Sequence, residues 1–357
     1  SRRLDAEQEA EKQEAEQELR RTITEETSVY HLPTPQELEA TETNRVVPPS
    51  EIRERIDAIL EVLAEFSKRR EPGKSRSDYL ERFVQDMAEL FGYLPELIEY
   101  FVSMWGPSEA LEFVEASERP RPLVIRTNTL KTRRKDLAAS LMKRGVRLDP
   151  LASWSKVGLK ILESSNVPMG ATPEYLSGQY MLQSAASMCP VLALDPQSTN
   201  ERVLDVSAAP GGKTSYIAQL MRNNGVIVAN DLRRDRQRAT VANLHRLGVT
   251  NAIVCTHDGR ILGTKKFPNA FDRVLLDAPC SGLGVISRDP SVKIQRTIED
   301  VQKCAHLQKE LLLSALDALH PKSKSKPGVL VYSTCSVSVA ENEEVVAYAL
   351  SKRDVVL

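Results

Sequence analysis

From residue 50 onward the apolar positions recur at helical spacing. Ile52, Ile56, Leu60, Leu63 and Phe66 fall on one face of a helix for which Ser50 is the expected N-cap. Helical signal continues over 78–105 and 108–118, so residues 50–118 read as a helical region. The pattern then changes. Residues 122–128 predict a strand, 133–143 a helix ended by Gly145, and 146–148 and 158–162 short strands. Together these make a compact α+β module over 119–174. From about 175 the chain alternates between the two periods. Strands are predicted at 202–207, 226–230, 252–255, 271–277 and 329–334, and helices at 214–222, 233–247, 298–319 and 341–352. Such alternation predicts an α/β fold, a doubly wound parallel sheet with helices on both faces.

Composition adjusts this picture at its ends. A length of 357 residues, 41% of them hydrophobic, suits two or three domains with a sizeable core. The net charge of -1 conceals a lopsided distribution. Residues 1–50 hold 12 acids against 6 bases, and the remainder holds 37 acids against 42 bases. Residues 1–28 are an Ala/Glu/Gln/Arg run, and 31–50 contain Pro33, Pro35, Pro48 and Pro49. Residues 1–49 therefore read as an acidic arm and proline-containing linker, suited to binding a partner. No run approaches 18 apolar residues, and the first 30 residues hold no apolar signal segment, so neither a membrane span nor a signal peptide is predicted. Five cysteines without a C-x-x-C spacing indicate a reducing compartment, and no metal site is expected. The chain opens without Met and stops at Val355-Val356-Leu357, which reads as a strand just begun in a longer protein.

The sharpest local signal lies at 203–214. An apolar strand carrying Asp205 runs into Ser207, Ala208, Ala209, Pro210, Gly211, Gly212 and Lys213, and then into a helix. Small residues let a ligand approach the backbone, and the helix start offers N–H donors. Gly212-Lys213-Thr214 resembles the end of a phosphate-binding loop, but that loop needs a glycine where Ser207 stands. Asp205 would also repel phosphate. Asp231 ends the second strand, where an acid can bind ribose hydroxyls. Asp258 follows the third, placed to accept from an adenine amino group, and Asp277 ends the fourth. Each acid alone has a plain structural reading as a cap or solvated strand end. Four at four successive strand ends favour a nucleoside with cationic groups, S-adenosylmethionine.

Two cysteines lie on loops at the same edge. Cys280 follows the fourth strand in Asp277-Ala-Pro-Cys-Ser-Gly, and Cys335 ends the fifth in Ser333-Thr-Cys-Ser. Strands four and five are neighbours in the usual order of such sheets, so both residues can face one pocket. Cys189, Cys255 and Cys304 sit in apolar or helical contexts and read as inert buried thiols. Two thiols suit pyrimidine methylation. Carbon 5 becomes nucleophilic once a thiolate adds at carbon 6, and a second thiol can assist elimination. Asp277 is placed to hydrogen-bond the cytosine edge during addition.

Residues 205–214, 277–282 and 333–336 resemble the motifs of the Sun-type RNA cytosine-5 methyltransferases, and the resemblance extends over roughly 120–357. It implies that Cys335 is the nucleophile and Cys280 the thiol that assists release. It also implies that residues 207–213, Asp231, Asp258 and Asp277 bind S-adenosylmethionine, and that an RNA-recognition-like module precedes a catalytic core at 175–357. Residues 243–248, 288–293 and 306–314 resemble the eukaryotic nucleolar branch. That branch implies a large-subunit rRNA precursor as substrate, a part in subunit assembly alongside pre-ribosomal particle proteins, and a nucleolar location. Ser207 stands where many members carry Ala or Cys, and the strand that closes the sheet is missing at the C-terminus.

Arg126, Lys131, Arg133, Arg134, Lys135, Lys143, Arg144 and Arg147 stand against the single acid Asp136. A solvated helix face would explain such a run, but its position before the core favours RNA phosphate contact. With aromatics at 5%, base stacking is not expected to dominate. A DNA methyltransferase would use Cys280 as nucleophile and leave Cys335 unexplained. Amino-adenine methylation is disfavoured because Cys280 stands where an aromatic residue normally holds the base. An rRNA-binding assembly scaffold is the remaining alternative.

Overall fold

The computed structural model describes residues 29–33, 47–164, 168–320 and 328–357. It divides into two compact units. The first takes the chain up to Arg119 together with Lys293–Ile298, and the second takes Pro120–Val292 and Glu299–Leu357. The predicted arm at 1–28 and most of the linker lie outside the described residues.

Four helices dominate the first unit: α1 (Pro49–Ala64), α2 (Arg76–Phe91), α3 (Pro95–Trp105) and α4 (Pro107–Glu118). Ile56, Ile59, Phe83, Met87, Leu97 and Phe101 are fully buried among them. The start of α1 corrects the expected cap. Pro48 is the N-cap, with no side-chain hydrogen bond, and Pro49 opens the helix. Its fixed φ and missing N–H suit that first position, so Ser50 is not needed there. The helical stretch predicted at 78–105 is two helices. Gly92 turns left-handed at φ 70° to close α2, and Pro95 starts α3. Part of the predicted linker is anchored on this unit. Leu32 is buried, its N–H donates to Glu71 at 3.1 Å, and the Tyr79 hydroxyl donates to the Tyr30 carbonyl at 3.2 Å.

The second unit holds two sheets. The smaller has strands β1 (Leu123–Thr127), β2 (Arg147–Pro150), β3 (Gly158–Glu163) and β4 (Tyr180–Leu182) in the order β2-β3-β1-β4. All its pairings are antiparallel. Helix α5 (Arg134–Lys143) follows β1, and a short helix at Pro173–Leu176 precedes β4. This is the ferredoxin-like alternation, with Ile125, Leu137, Leu141, Leu159 and Tyr180 in its core. Its last strand lies beyond residue 174 and is three residues long, too short for a period to show.

The larger sheet is parallel and Rossmann-like. It has β5 (Arg202–Asp205), β6 (Val226–Asn230), β7 (Ala252–Cys255), β8 (Arg273–Asp277) and β9 (Val329–Ser333) in the order β7-β6-β5-β8-β9. Near-continuous apolar strands fit burial on both faces, and Val203, Leu204, Ile227, Val274 and Leu275 are fully buried. Its helices include α6 (Gly212–Met221), α7 (Arg234–Leu247), α8 (Ile298–Asp317) and α9 (Glu343–Lys352). The chain runs outward from β5 to β7 and then returns to β8, so the order reverses between β5 and β8. A crevice forms at the carboxyl end of such a switch point. The helix predicted at 341–352 is shorter. A 3-10 turn at Val339–Glu341 precedes it, and Asn342 (φ -120°, ψ -86°) breaks the two apart.

A candidate active site at the carboxyl edge of the parallel sheet

Strand order converts scattered sequence positions into one row. From β7 to β9 the strands deliver Asp258, Asp231, Asp205, Asp277 and Cys335 to the same edge. The loop from Ser207 to Gly211 runs between β5 and α6, and Asp231 secures part of it. Its Oδ2 accepts from the Ala209 N–H at 3.3 Å, its Oδ1 accepts from the Arg233 N–H at 2.9 Å, and Arg236 lies 3.5 Å away. Ala208 donates to the Asn230 carbonyl at 2.7 Å, and the Asn243 amide donates to the Pro210 carbonyl at 2.9 Å. The loop is thus a backbone shelf pinned from β6 and α7.

Asp205 is 1% exposed, and its Oδ2 accepts from Thr214 Oγ1 at 2.6 Å. Burial pushes its carboxyl up to about 7, and the neighbouring Asp277 charge adds to the effect. Its Oδ1 is buried without a hydrogen-bond partner. Asp277 takes Lys213 Nζ on one oxygen at 2.5 Å and Ser333 Oγ on the other at 2.8 Å. Asp258 is engaged locally. It caps the turn at Gly259–Ile261, and the Arg260 guanidinium, 2.7 Å away, holds its carboxyl below the ordinary range. A row of carboxyls around a backbone shelf, with one buried oxygen unsatisfied, fits a ligand bearing hydroxyls and cationic groups. S-adenosylmethionine fits that donor set; a phosphate-rich nucleotide does not.

The two cysteines meet. Parallel pairing of β8 with β9 sets Asp277 opposite Ser333 and carries both following loops to one place. Cys280 Sγ lies 3.0 Å from Cys335 Sγ, and the Cys335 N–H points at Cys280 Sγ from 3.3 Å. The thiol bond holds Cys335 below the usual thiol range while pushing Cys280 up, with burial adding to the rise at Cys280. Cys335 is exposed, whereas Cys280 is half-buried.

Sequence reasoning missed residues that support these groups. Glu341, fully buried, bonds to both cysteine loops, and Gln308 donates to the Pro279 carbonyl at 2.8 Å. Arg126 was expected to contact RNA, yet it is 1% exposed. Its guanidinium donates to the Gly212 carbonyl at 2.6 Å, to Ser215 Oγ at 2.8 Å and to Gln183, and it stacks 4.8 Å over the Tyr216 ring. Nothing in the sequence pattern of β1 marked its burial. Lys131 bonds to the Ser177 and Arg246 carbonyls, Arg134 to the Ser155 carbonyl, Arg144 to Glu174 and Arg147 to Glu163. Arg133, Lys135 and Lys143 are exposed. Cys189, expected to be buried, is exposed at the start of a short helix, Cys189–Leu194. Cys255 is half-buried, and burial raises its pKa.

This sheet order and edge define a Rossmann-like methyltransferase, and comparison with known proteins narrows the class. The description "16S rRNA methyltransferase RsmB/F" matches residues 191–357, and a ferredoxin-like domain of RsmF/B-like methyltransferases matches 96–168. The chain belongs to the Sun family of RsmB/F-type methyltransferases. The "28S rRNA (cytosine-C(5))-methyltransferase" of Mus musculus is 58% identical over 304 residues, 85% of this chain and 38% of its own. The "25S rRNA (cytosine-C(5))-methyltransferase nop2" of Schizosaccharomyces pombe is 50% identical over 359 residues, 99% of this chain and 58% of its own. The chain thus spans less than two thirds of these curated relatives. A solved methyltransferase homolog from Pyrococcus horikoshii is 40% identical, with a TM-score of 0.66 over 76% of this chain and 83% of that one.

Proposed function

We propose that this protein methylates carbon 5 of a cytosine in large-subunit ribosomal RNA, with Cys335 as nucleophile and S-adenosylmethionine as methyl donor. The observation that carries the proposal is the 3.0 Å approach of Cys280 and Cys335 beside a row of strand-end acids. The mouse and yeast relatives, named for cytosine-C(5) methylation of 28S and 25S rRNA, support the choice of base and RNA.

When bound, S-adenosylmethionine supplies an electrophilic methyl group. Residues 207–213 with Asp231 and Asp258 hold it, and Asp205 and Asp277 provide negative charge for its cationic groups. Cys335, the more exposed of the two thiols, forms a bond from sulfur to carbon 6 of the cytosine. The ring becomes an enamine with a nucleophilic carbon 5, to which the bound donor would supply its methyl group, the sulfur–methyl bond breaking and S-adenosylhomocysteine leaving. A base then removes the carbon 5 proton, the bond from sulfur to carbon 6 breaks, and the ring double bond returns. Cys280 assists this release, and Asp277 steadies the cytosine edge. The target base must leave its stack to reach the pocket. A nucleolar location and a part in large-subunit assembly, through the acidic arm and pre-ribosomal particle proteins, belong to the same proposal.

The test is methyl incorporation into a large-subunit rRNA fragment. Cys335→Ala is expected to abolish it, and Cys280→Ala to accumulate a covalent RNA complex resistant to denaturation. Absence of that complex would overturn the assignment of roles. Normal subunit assembly with Cys335→Ala in cells would make rRNA-binding scaffolding, rather than catalysis, the essential activity.

A further inference from the structure

We infer that Glu341 is a positioning residue for the two cysteines, and that its buried carboxyl group sets the separation of the loops that carry them. This rests on the roles proposed above for Cys280 and Cys335, but its decisive measurement needs no methyl transfer.

Glu341 is fully buried in the 3-10 turn Val339–Glu341. Oε1 accepts from the Ser281 N–H at 2.8 Å and from Gln308 Nε2 at 3.1 Å. Oε2 accepts from Ser281 Oγ at 2.5 Å and from Ser336 Oγ. Ser281 follows Cys280 in the chain and Ser336 follows Cys335, and their hydroxyl oxygens are 3.1 Å apart. Gln308, from α8, also donates to the Pro279 carbonyl at 2.8 Å, so the residues on both sides of Cys280 are held by one network. The Glu341 carbonyl in turn accepts from the Tyr332 hydroxyl of β9 at 2.6 Å.

A carboxyl group taken wholly out of water is costly unless its oxygens are satisfied. Here three of the four donors belong to the residues next to the cysteines. That arrangement gives Glu341 an effect that general packing lacks: one carboxyl group links the two loops that carry the two sulfur atoms. Reacting groups displaced by about 1 Å lose on the order of a hundredfold in rate, so the link is felt at the chemistry.

The experiment uses the full chain and Glu341→Gln, which keeps the shape but turns one acceptor into a donor. Wild type and variant are equilibrated in buffers of oxidised and reduced glutathione. The Cys335 thiolate attacks a sulfur of oxidised glutathione and expels one glutathione thiolate. The Cys280 thiolate then attacks the mixed disulfide and expels the second. The protein loses two electrons and glutathione disulfide gains them. Mass spectrometry of the peptides spanning 280 and 335 isolates this pair from the other thiols. The equilibrium constant is an effective concentration, and it reports how well the two sulfurs are held together. Glu341→Gln is expected to lower it about tenfold or more, and to lower kcat for methylation while KM for S-adenosylmethionine stays put. An unchanged glutathione equilibrium overturns the inference. Wild type that fails to methylate RNA while Glu341→Gln still shifts the equilibrium sinks the proposed function and supports the positioning role. Should Glu341→Gln fail to fold, Ser336→Ala removes one donor and is expected to shift the equilibrium in the same direction; no shift there overturns the inference equally.

Discussion

The Arg126 guanidinium donates to the main-chain carbonyl of Gly212 at 2.6 Å, tying β1 of the small sheet to the first residue of α6. The same side chain reaches Ser215 and Gln183, so its removal takes the donor from the Gln183 side-chain oxygen and leaves Ser215 Oγ and the Gly212 carbonyl only their bond to each other at 3.0 Å. Arg126→Ala is expected to lower unfolding free energy by about 3 kcal/mol, the order seen when one partner of a buried polar cluster is deleted. S-adenosylmethionine binding should weaken with it, because the start of α6 loses its anchor. Denaturant titration and calorimetric titration of the methyl donor measure the two effects.

Phosphate binding by the exposed residues of the basic stretch has a different signature. Substituting Arg133, Lys135 or Lys143 with Ala should leave stability nearly unchanged and weaken RNA binding. Removing one cation from a phosphate reduces the slope of log affinity against log salt by about 1. Binding isotherms over a salt series check this, with Arg126→Ala as the control whose slope should not move.

Asp205 makes stability depend on pH. Its carboxyl is raised to about 7 in the folded protein, above its value in the unfolded chain, so the folded state holds the extra proton. Stability from this group is therefore present at low pH and lost as pH rises through the window from ordinary carboxylate values to about 7. Asp205→Asn should raise Tm relative to wild type at pH above that window and approach equality at its acid end. A ligand with a cationic group favours the ionised carboxyl, so S-adenosylmethionine should bind wild type more tightly as pH rises through the window. The variant should lack that dependence. Thermal melts and binding titrations across pH decide both.

Gly284 donates its N–H to the Cys335 carbonyl at 2.8 Å, and a Cβ at this position would meet that carbonyl oxygen at 2.7 Å. Backbone would have to shift to admit a methyl group, and it is the backbone of the proposed nucleophile. Gly284→Ala is expected to cut kcat by on the order of tenfold to a hundredfold while leaving methyl-donor affinity intact. Unchanged kcat would show that the Cys335 loop tolerates the displacement.

Much of the core was legible because its signals are local. Apolar runs alternating with amphipathic helices announced the five parallel strands, and acids or thiols just past those strands marked one edge. Short or irregular pieces were not legible. Tyr180–Leu182 is three residues, and the break at Asn342 leaves a helical apolar pattern undisturbed. Ser50 looked like a cap because serine is a good one, but Pro48 and Pro49 had already set the start of α1.

Sequence alone determined the alternation of strand and helix, the small-residue loop before α6, and which residue types stand at the ends of the strands. Those are properties of a residue and its near neighbours. The tertiary structure decided which charges are buried. Arg126 and Glu341 look like ordinary polar residues until distant segments close over them, and burial then turns one from a candidate RNA-binding cation into a clamp and the other into a tie between two loops. Their hydrogen bonds span 86 residues of chain for Arg126 and 60 for Glu341, separations at which no periodicity carries information.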